Sequence, residues 1–357
     1  MALVLTLPFR GDVSVLRFQH GRPVIRRWGA AALVALVSGF MAPVHAQNAP
    51  ASAHVRSVNE WLTRMHEASN QRSYIGTLVV SAGSAMSASK IWHVCDGSQQ
   101  MERVDTLTGA PRTTIRRNKE VITFVPEAKT AFVEKRDSLG MFPELLRTPS
   151  NLIPQFYSAR EVGVQRVAGH LADMVEILPR DDLRFGYRIW SERQTGLVVK
   201  LQTLGEQGAV LEQVAFSELQ LDAQVSMDKL SKLMKDTRGY EVHKPTLKKT
   251  TAEAEGWRLK EPVPGFTAMS CHTRETPGAA AQGPGQASMQ WVFSDGLASV
   301  SLFVEPFDAQ RHTQETSATV GATNSVNRRV GDHWLTVMGE APAATLRRFA
   351  IALERTR

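Results

Sequence analysis

Two four-residue stretches, Ser87-Ala-Ser-Lys90 and Ser226-Met-Asp-Lys229, have the spacing of a serine nucleophile with a lysine base. That chemistry needs the amine within reach of the hydroxyl, which a helical turn supplies and an extended strand does not. The first stretch runs from a Gly/Ser turn into a strand. The second has helical spacing, but its serine is better explained as a helix cap. The companion S-D-N and K-T-G motifs are missing, and "SDG" at 294–296 reads as a turn. The histidines after residue 46, at 54, 66, 93, 170, 243, 272, 312 and 333, show neither H-x-x-x-H nor H-E-x-x-H spacing, and no cysteine stands near enough to complete a zinc set. No phosphate-binding loop or dinucleotide fingerprint occurs. The sequence therefore predicts a non-enzyme with no catalytic residue, no cofactor and no metal.

Without a catalytic centre, function must lie in surfaces, and the elements that form them come next. The chain has 357 residues, 43% of them hydrophobic and 22% charged, ordinary values for a globular protein of about two domains. Residues 1–46 read as an export signal. Arg22, Arg26 and Arg27 form a basic region, "WGAAALVALVSGFMA" an apolar run too short to span comfortably, and Val44-His45-Ala46 a small-residue cleavage site. The mature chain then starts near Gln47, in the periplasm. This leader holds five Arg and one Asp, net +4, so the remainder carries only +3 of the chain's +7 and gives little support to nucleic-acid binding. Export allows the two cysteines, Cys95 and Cys271, to pair. The alternative is two unrelated thiols, one per domain.

From residue 55, Val55, Val58, Trp61, Leu62 and Met65 recur at three- and four-residue spacing and predict an amphipathic helix. After Tyr74 the period becomes two. Strands are expected at 74–81, 89–95, 100–106, 112–117, 121–125 and 130–136, then at 163–168, 171–178, 185–193, 196–204 and 209–219, with Gly, Asn, Asp or Pro at most turns. Between the two sets, "SLGMFPELLRTPSNLIPQFYSAREVG" is apolar and irregular, and is expected to cross back over the sheet. A short helix follows at 226–236. Residues 241–256 lose apolar periodicity and read as a linker, so the domain 47–240 and the domain 257–357 are expected to fold separately. Strands at 266–273, 289–305 and 333–339 and a helix at 342–355 are expected in the second unit. Leu78, Val80, Trp92, Phe132, Phe142, Phe156, Ile189 and Leu201 are candidates to line a cavity on the inner face of a curved sheet. Simple packing of these residues on one another is the other reading. Trp257, at the linker exit, is the candidate partner-binding anchor.

Four segments, in order and with matching spacing, then carry a family resemblance. They are "YIGTLVV", "RVDTLTGAPRTTIRRNKEVITFVPE", "YRIWSERQTGLVVKLQTLGEQGAVLEQVAFSEL" and "MQWVFSDGLASVSLFVEP". Together they resemble the MucB/RseB family of periplasmic sigma-E regulators. The resemblance implies an α+β fold: an unclosed antiparallel β-barrel covered by helices and similar to the lipoprotein carriers LolA and LolB, plus a smaller α/β domain. It further implies binding to the periplasmic part of a transmembrane anti-sigma factor of the RseA/MucA type, which shields that protein from regulated proteolysis. Release by an acyl-chain or lipopolysaccharide ligand is implied as well, and self-association is left open. A periplasmic lipoprotein or lipid carrier is the competing reading. The hundred residues beyond the linker weigh against it, because carriers of this kind end after the half-barrel.

Overall fold

The computed structural model describes residues 56–135, 152–244, 247–275 and 287–356. Helix α1 (Val58–Gln71) opens on a reciprocal cap. The Ser57 hydroxyl accepts the Glu60 N–H, and the Glu60 carboxylate accepts the Ser57 N–H. The helix buries Val58, Trp61, Leu62 and Met65, the stripe that its spacing predicts.

Eleven strands follow: β1 (Tyr74–Ala82), β2 (Ala85–Cys95), β3 (Gln100–Thr106), β4 (Thr113–Arg117), β5 (Glu120–Val125), β6 (Thr130–Lys135), β7 (Tyr157–Val167), β8 (His170–Pro179), β9 (Gly186–Glu192), β10 (Val198–Leu204) and β11 (Val210–Leu221). A single turn of helix, α2 (Ile153–Phe156), precedes β7, and α3 (Met227–Lys235) follows β11. With β12 (Glu241–His243) they make one twelve-stranded sheet in the order β12-β6-β5-β4-β3-β2-β1-β11-β10-β9-β8-β7. Its two edges, β12 and β7, do not meet, so the sheet is open. All pairings are antiparallel except β12 with β6. β7 starts at Tyr157, six residues before the expected strand, because the apolar Tyr157 and Ala159 fit the pleat opposite Pro179 and Ile177.

The second sheet contains β13 (Leu247–Lys249), β15 (Thr267–Glu275), β16 (Ala287–Ser294), β17 (Ser299–Pro306), β18 (Ser317–Val320), β19 (Thr323–Val330) and β20 (His333–Gly339). Its order is β13-β15-β16-β17-β20-β19-β18, antiparallel throughout. Helix α4 (Ala343–Ala352) covers one face, burying Leu346, Phe349 and Ala350. A two-stranded ribbon of β14 (Trp257–Leu259) and β21 (Leu353–Arg355) closes that core. The expected strand 289–305 is thus a hairpin turning at 295–298, and the β18–β19 hairpin was not foreseen. Its strand β18 is wholly exposed and lacks the apolar alternation that marks a strand in sequence.

The stretch expected to be a linker contributes β12 to the first sheet and β13 to the second. The sheets are also fastened at a buried joint. Leu183, in the turn between β8 and β9, belongs to the apolar core of the second sheet. Leu297, in the turn between β16 and β17, packs into the core beneath α1. Beside them the Arg184 Nε donates to Asp295 Oδ2 at 2.8 Å, with both side chains fully buried. Arg184 also donates to the Asp181 carboxylate and to the Pro264 carbonyl. Tyr157 Oη donates to the same Asp295 oxygen at 2.8 Å, and the other oxygen accepts the N–H groups of Leu297 and Ala298. Gly265 has to be glycine here: its φ is +78°, and a Cβ would lie 2.0 Å from the Arg184 guanidinium.

Removing one partner of a buried, hydrogen-bonded ion pair strands the other charge, at a cost of about 3–5 kcal/mol. Asp295→Ala is therefore expected to lower the stability of the whole chain by that amount in urea unfolding followed by tryptophan fluorescence. A loss below about 1 kcal/mol would show that the joint is not buried in solution.

Candidate functional site

Strand register decides which side chains share the inner face. On β1, Tyr74, Gly76, Leu78 and Val80 alternate onto one side, opposite His93, Ile91, Ser89 and Ser87 of β2. The same face continues through Leu201 of β10, opposite Val214, and Ile189 of β9, opposite Leu201. In the other direction it runs through Val104 of β3 to Phe132 of β6. α1 lies on this face over Val175, Ile177, Tyr187, Ile189 and Val198. α3 lies on the opposite face, over Met101, Ile115 and Ile122.

Of the candidate lining residues, Leu78, Val80, Phe132, Ile189 and Leu201 share the inner face. Leu78 and Ile189 are buried, and Phe132 is 41% exposed and stacks on His243. Phe156, on α2, is partly buried against the same core and carries the Arg184 guanidinium 4.3 Å above its ring. Trp92 is a correction. It stands opposite Ile75 and Arg103, on the outer face, where the Arg103 guanidinium covers its ring. The inward residue is its neighbour Ile91, because one step along a strand reverses the face. Phe142 lies outside the described residues.

Trp257 is a second correction. The ring is 2% exposed, packed in the core of the second sheet with His333 edge-on at 5.1 Å. β14 pairs with β21, and that ribbon covers the ring, so Trp257 offers no surface to a partner. Of the two readings left open for the cysteines, the structure has the second: both are free thiols, one in each sheet. Cys271 is buried in the core of the second sheet, where burial, with Glu255 and Glu253 nearby, pushes its thiol up to about 11. Cys95 ends β2 of the first sheet, with burial and Asp96 raising its thiol. Each sulfur is held by its own sheet.

Neither serine–lysine pair is assembled. Ser87 lies on the inner face and Lys90, three residues on, points to the other, toward Glu218. Ser226 caps α3, accepting the Lys229 N–H. Among the described residues no three His, Cys, Asp or Glu side chains converge as a metal set.

Sequence reasoning missed the polar groups of the inner face. His93, Glu102 and Arg116 are all buried there on β2, β3 and β4. His93 donates Nδ1–H to the Arg72 carbonyl, and Arg116 pairs with Glu102 at 3.5 Å. It also missed the carboxylates at the joint. Gly321 and Ala322, in the β18–β19 turn, press against Ala82 and Glu212, where a Cβ on Gly321 would lie 2.7 Å from the Ala82 Cβ. Glu212 accepts the Ala322 N–H at 3.4 Å. Burial, and then Glu340, raise the Glu212 carboxyl above its ordinary value, while the Ala322 bond lowers it. Burial also holds Tyr157 and Tyr187 far above the usual phenol range, so Tyr157 stays protonated and donates to Asp295.

The architecture is an open twelve-stranded sheet with a second, smaller sheet locked to it. Comparison with known proteins narrows the class. Residues 57–234 match the MucB/RseB N-terminal domain and residues 251–354 the MucB/RseB C-terminal domain. The chain belongs to the MucB/RseB family. It is 30% identical over 328 residues to the sigma factor AlgU regulatory protein MucB of Pseudomonas aeruginosa, covering 90% of this chain and 96% of that one. It is 23% identical over 331 residues to the sigma-E factor regulatory protein RseB of Escherichia coli K12, covering 90% and 96%. The Pseudomonas aeruginosa MucA/MucB complex superposes with a TM-score of 0.65 at 28% identity, covering 84% of this chain and 99% of that one. A second solved complex, MucB with MucA(peri), superposes at 0.63 and 29%, covering 83% and 98%.

The Glu212 carboxyl gives a pH prediction. A carboxyl whose pKa rises on folding binds its proton more tightly in the native state. Its favourable contribution is therefore present below the ordinary value of 4.5 and is lost as pH rises through the folded value. Glu212→Gln keeps the acceptor for Ala322 and removes the charge facing Glu340. The variant is expected to melt higher than wild type at pH 7 and to show the smaller change in melting temperature between pH 4.5 and pH 7. A lower melting temperature at pH 7 would refute the assignment.

Proposed function

We propose that the chain is a periplasmic negative regulator of a sigma-E-type stress response, and that it acts by binding and not by catalysis. Its partner is the periplasmic part of a transmembrane anti-sigma factor similar to MucA or RseA, which it shields from regulated proteolysis. An acyl-chain or lipopolysaccharide ligand on the inner face of the first sheet releases that partner. In this reading residues 1–46 are the export signal, and residues 47–240 and 257–357 are the two functional halves joined through 241–256.

The observation that carries the proposal is the match of both halves, along nearly the whole chain, to relatives that are regulators and whose MucB member is solved with MucA bound. The inner face supports the ligand step. Leu78, Val80, Ile189 and Leu201 line up across four neighbouring strands, β1, β11, β10 and β9, an apolar face that α1 covers in part and that is suited to an alkyl chain. A carrier would use that face alone. The second sheet, locked on through Arg184 and Asp295, favours regulation over carriage.

The test is calorimetric titration of the mature chain with the periplasmic fragment of the anti-sigma factor, alone and with lipopolysaccharide. Binding of the fragment, weakened by lipopolysaccharide, is expected. Leu201→Asp places an unpaired charge on the apolar face and should cost the lipopolysaccharide effect, not the fragment affinity. No binding of the fragment to wild type would overturn the reading.

A further inference from the structure

β18 is the free edge of the second sheet, and all four of its residues are exposed. Helix α4 packs over β19 and β20. Between the helix and the edge strand runs an open groove of about 370 Å³. Glu315 and Ser317 form one side of it, Val326 and Arg328 of β19 its floor, and Arg347 and Ile351 of α4 the other side.

Three features define what fits there. The first is backbone. β18 and β19 are joined by a two-residue turn, Gly321-Ala322, which makes Val320 and Thr323 the hydrogen-bonded pair. The N–H and C=O groups of Ser317 and Thr319 therefore point away from the sheet, as an extended segment requires in order to add a strand. The second is apolar surface. Ile351 is 69% exposed and stands one helical turn from Arg347, with Val326 below. The third is charge. α4 carries Arg347 and Arg348 and no acidic residue. Glu315 accepts the Arg329 N–H, and Arg328 donates to the Ala350 carbonyl. Among the described residues Arg347 has no partner, so the groove attracts a carboxylate.

We propose that this groove docks an extended, acidic segment of the protein partner. The segment adds a strand to β18, sets an apolar side chain against Ile351 and Val326, and places a carboxylate on Arg347. The proposal rests on the regulatory reading above, in that the partner is the anti-sigma factor's periplasmic part. It adds the surface and the mode of recognition.

The experiment is calorimetry of the mature chain with the periplasmic fragment, as wild type, Ile351→Asp and Arg347→Glu. Both side chains are exposed, and unchanged circular dichroism and melting temperature would show that the variants fold. Each substitution is expected to weaken binding by about tenfold or more. The wild-type advantage over Arg347→Glu should shrink in high salt, as an exposed charge contact must. Wild-type affinity in both variants would overturn the groove and leave the regulatory reading standing. If wild type does not bind the fragment, both fail. If the variants instead lose self-association in sedimentation while binding the fragment normally, the groove belongs to a second copy and the proposal is wrong.

Discussion

The placement of the two sheets depends on one buried ion pair. Arg184 and Asp295 come from turns 111 residues apart and meet with no exposed side-chain surface. Against an apolar pair of the same shape, a buried ion pair contributes little net stability, because desolvation offsets the attraction. Its effect is on specificity. Asp295 accepts four hydrogen bonds and Arg184 donates to three residues, so a shifted docking strands charge in an apolar setting. The exchange of Leu183 and Leu297 between the cores adds apolar burial to the same joint. Polar groups give the geometry, and leucines much of the energy.

That geometry has a functional consequence. With the sheets fastened through Arg184 and Asp295, a partner segment that reached both the inner face of the first and the edge groove of the second would find them already positioned. Preorganisation reduces the entropy lost on binding.

Local pattern made much of the fold legible. The stripe Val58, Trp61, Leu62, Met65 and the alternation through β1 to β6 gave helix and strands close to their observed bounds, because burial on one side imposes a period that can be counted. Register was harder. Trp92 and Ile91 are both apolar and adjacent, and only the pairing of β2 with β1 decides which faces inward. Trp257 looked exposed because its covering strand, β21, lies 96 residues further along the chain. Asp295 read as a turn residue, which it is, since its carboxylate accepts local N–H groups. Its second role, with Arg184, depends on long-range topology and leaves no local signal. The family resemblance implied the architecture and class of partner, while the joint and the groove depend on which distant turns and strands meet in space.

Amide hydrogen exchange at Leu297 and Ala298 tests the central claim most directly. Their N–H groups donate to Asp295 at 2.9 and 2.7 Å inside the joint, on a turn that would otherwise exchange quickly. If the sheets are permanently locked, both amides should exchange only as slowly as the core strands β9 and β17, by global unfolding. Fast exchange at these two amides while β9 and β17 stay protected would mean that the joint opens in the native protein, contradicting the account.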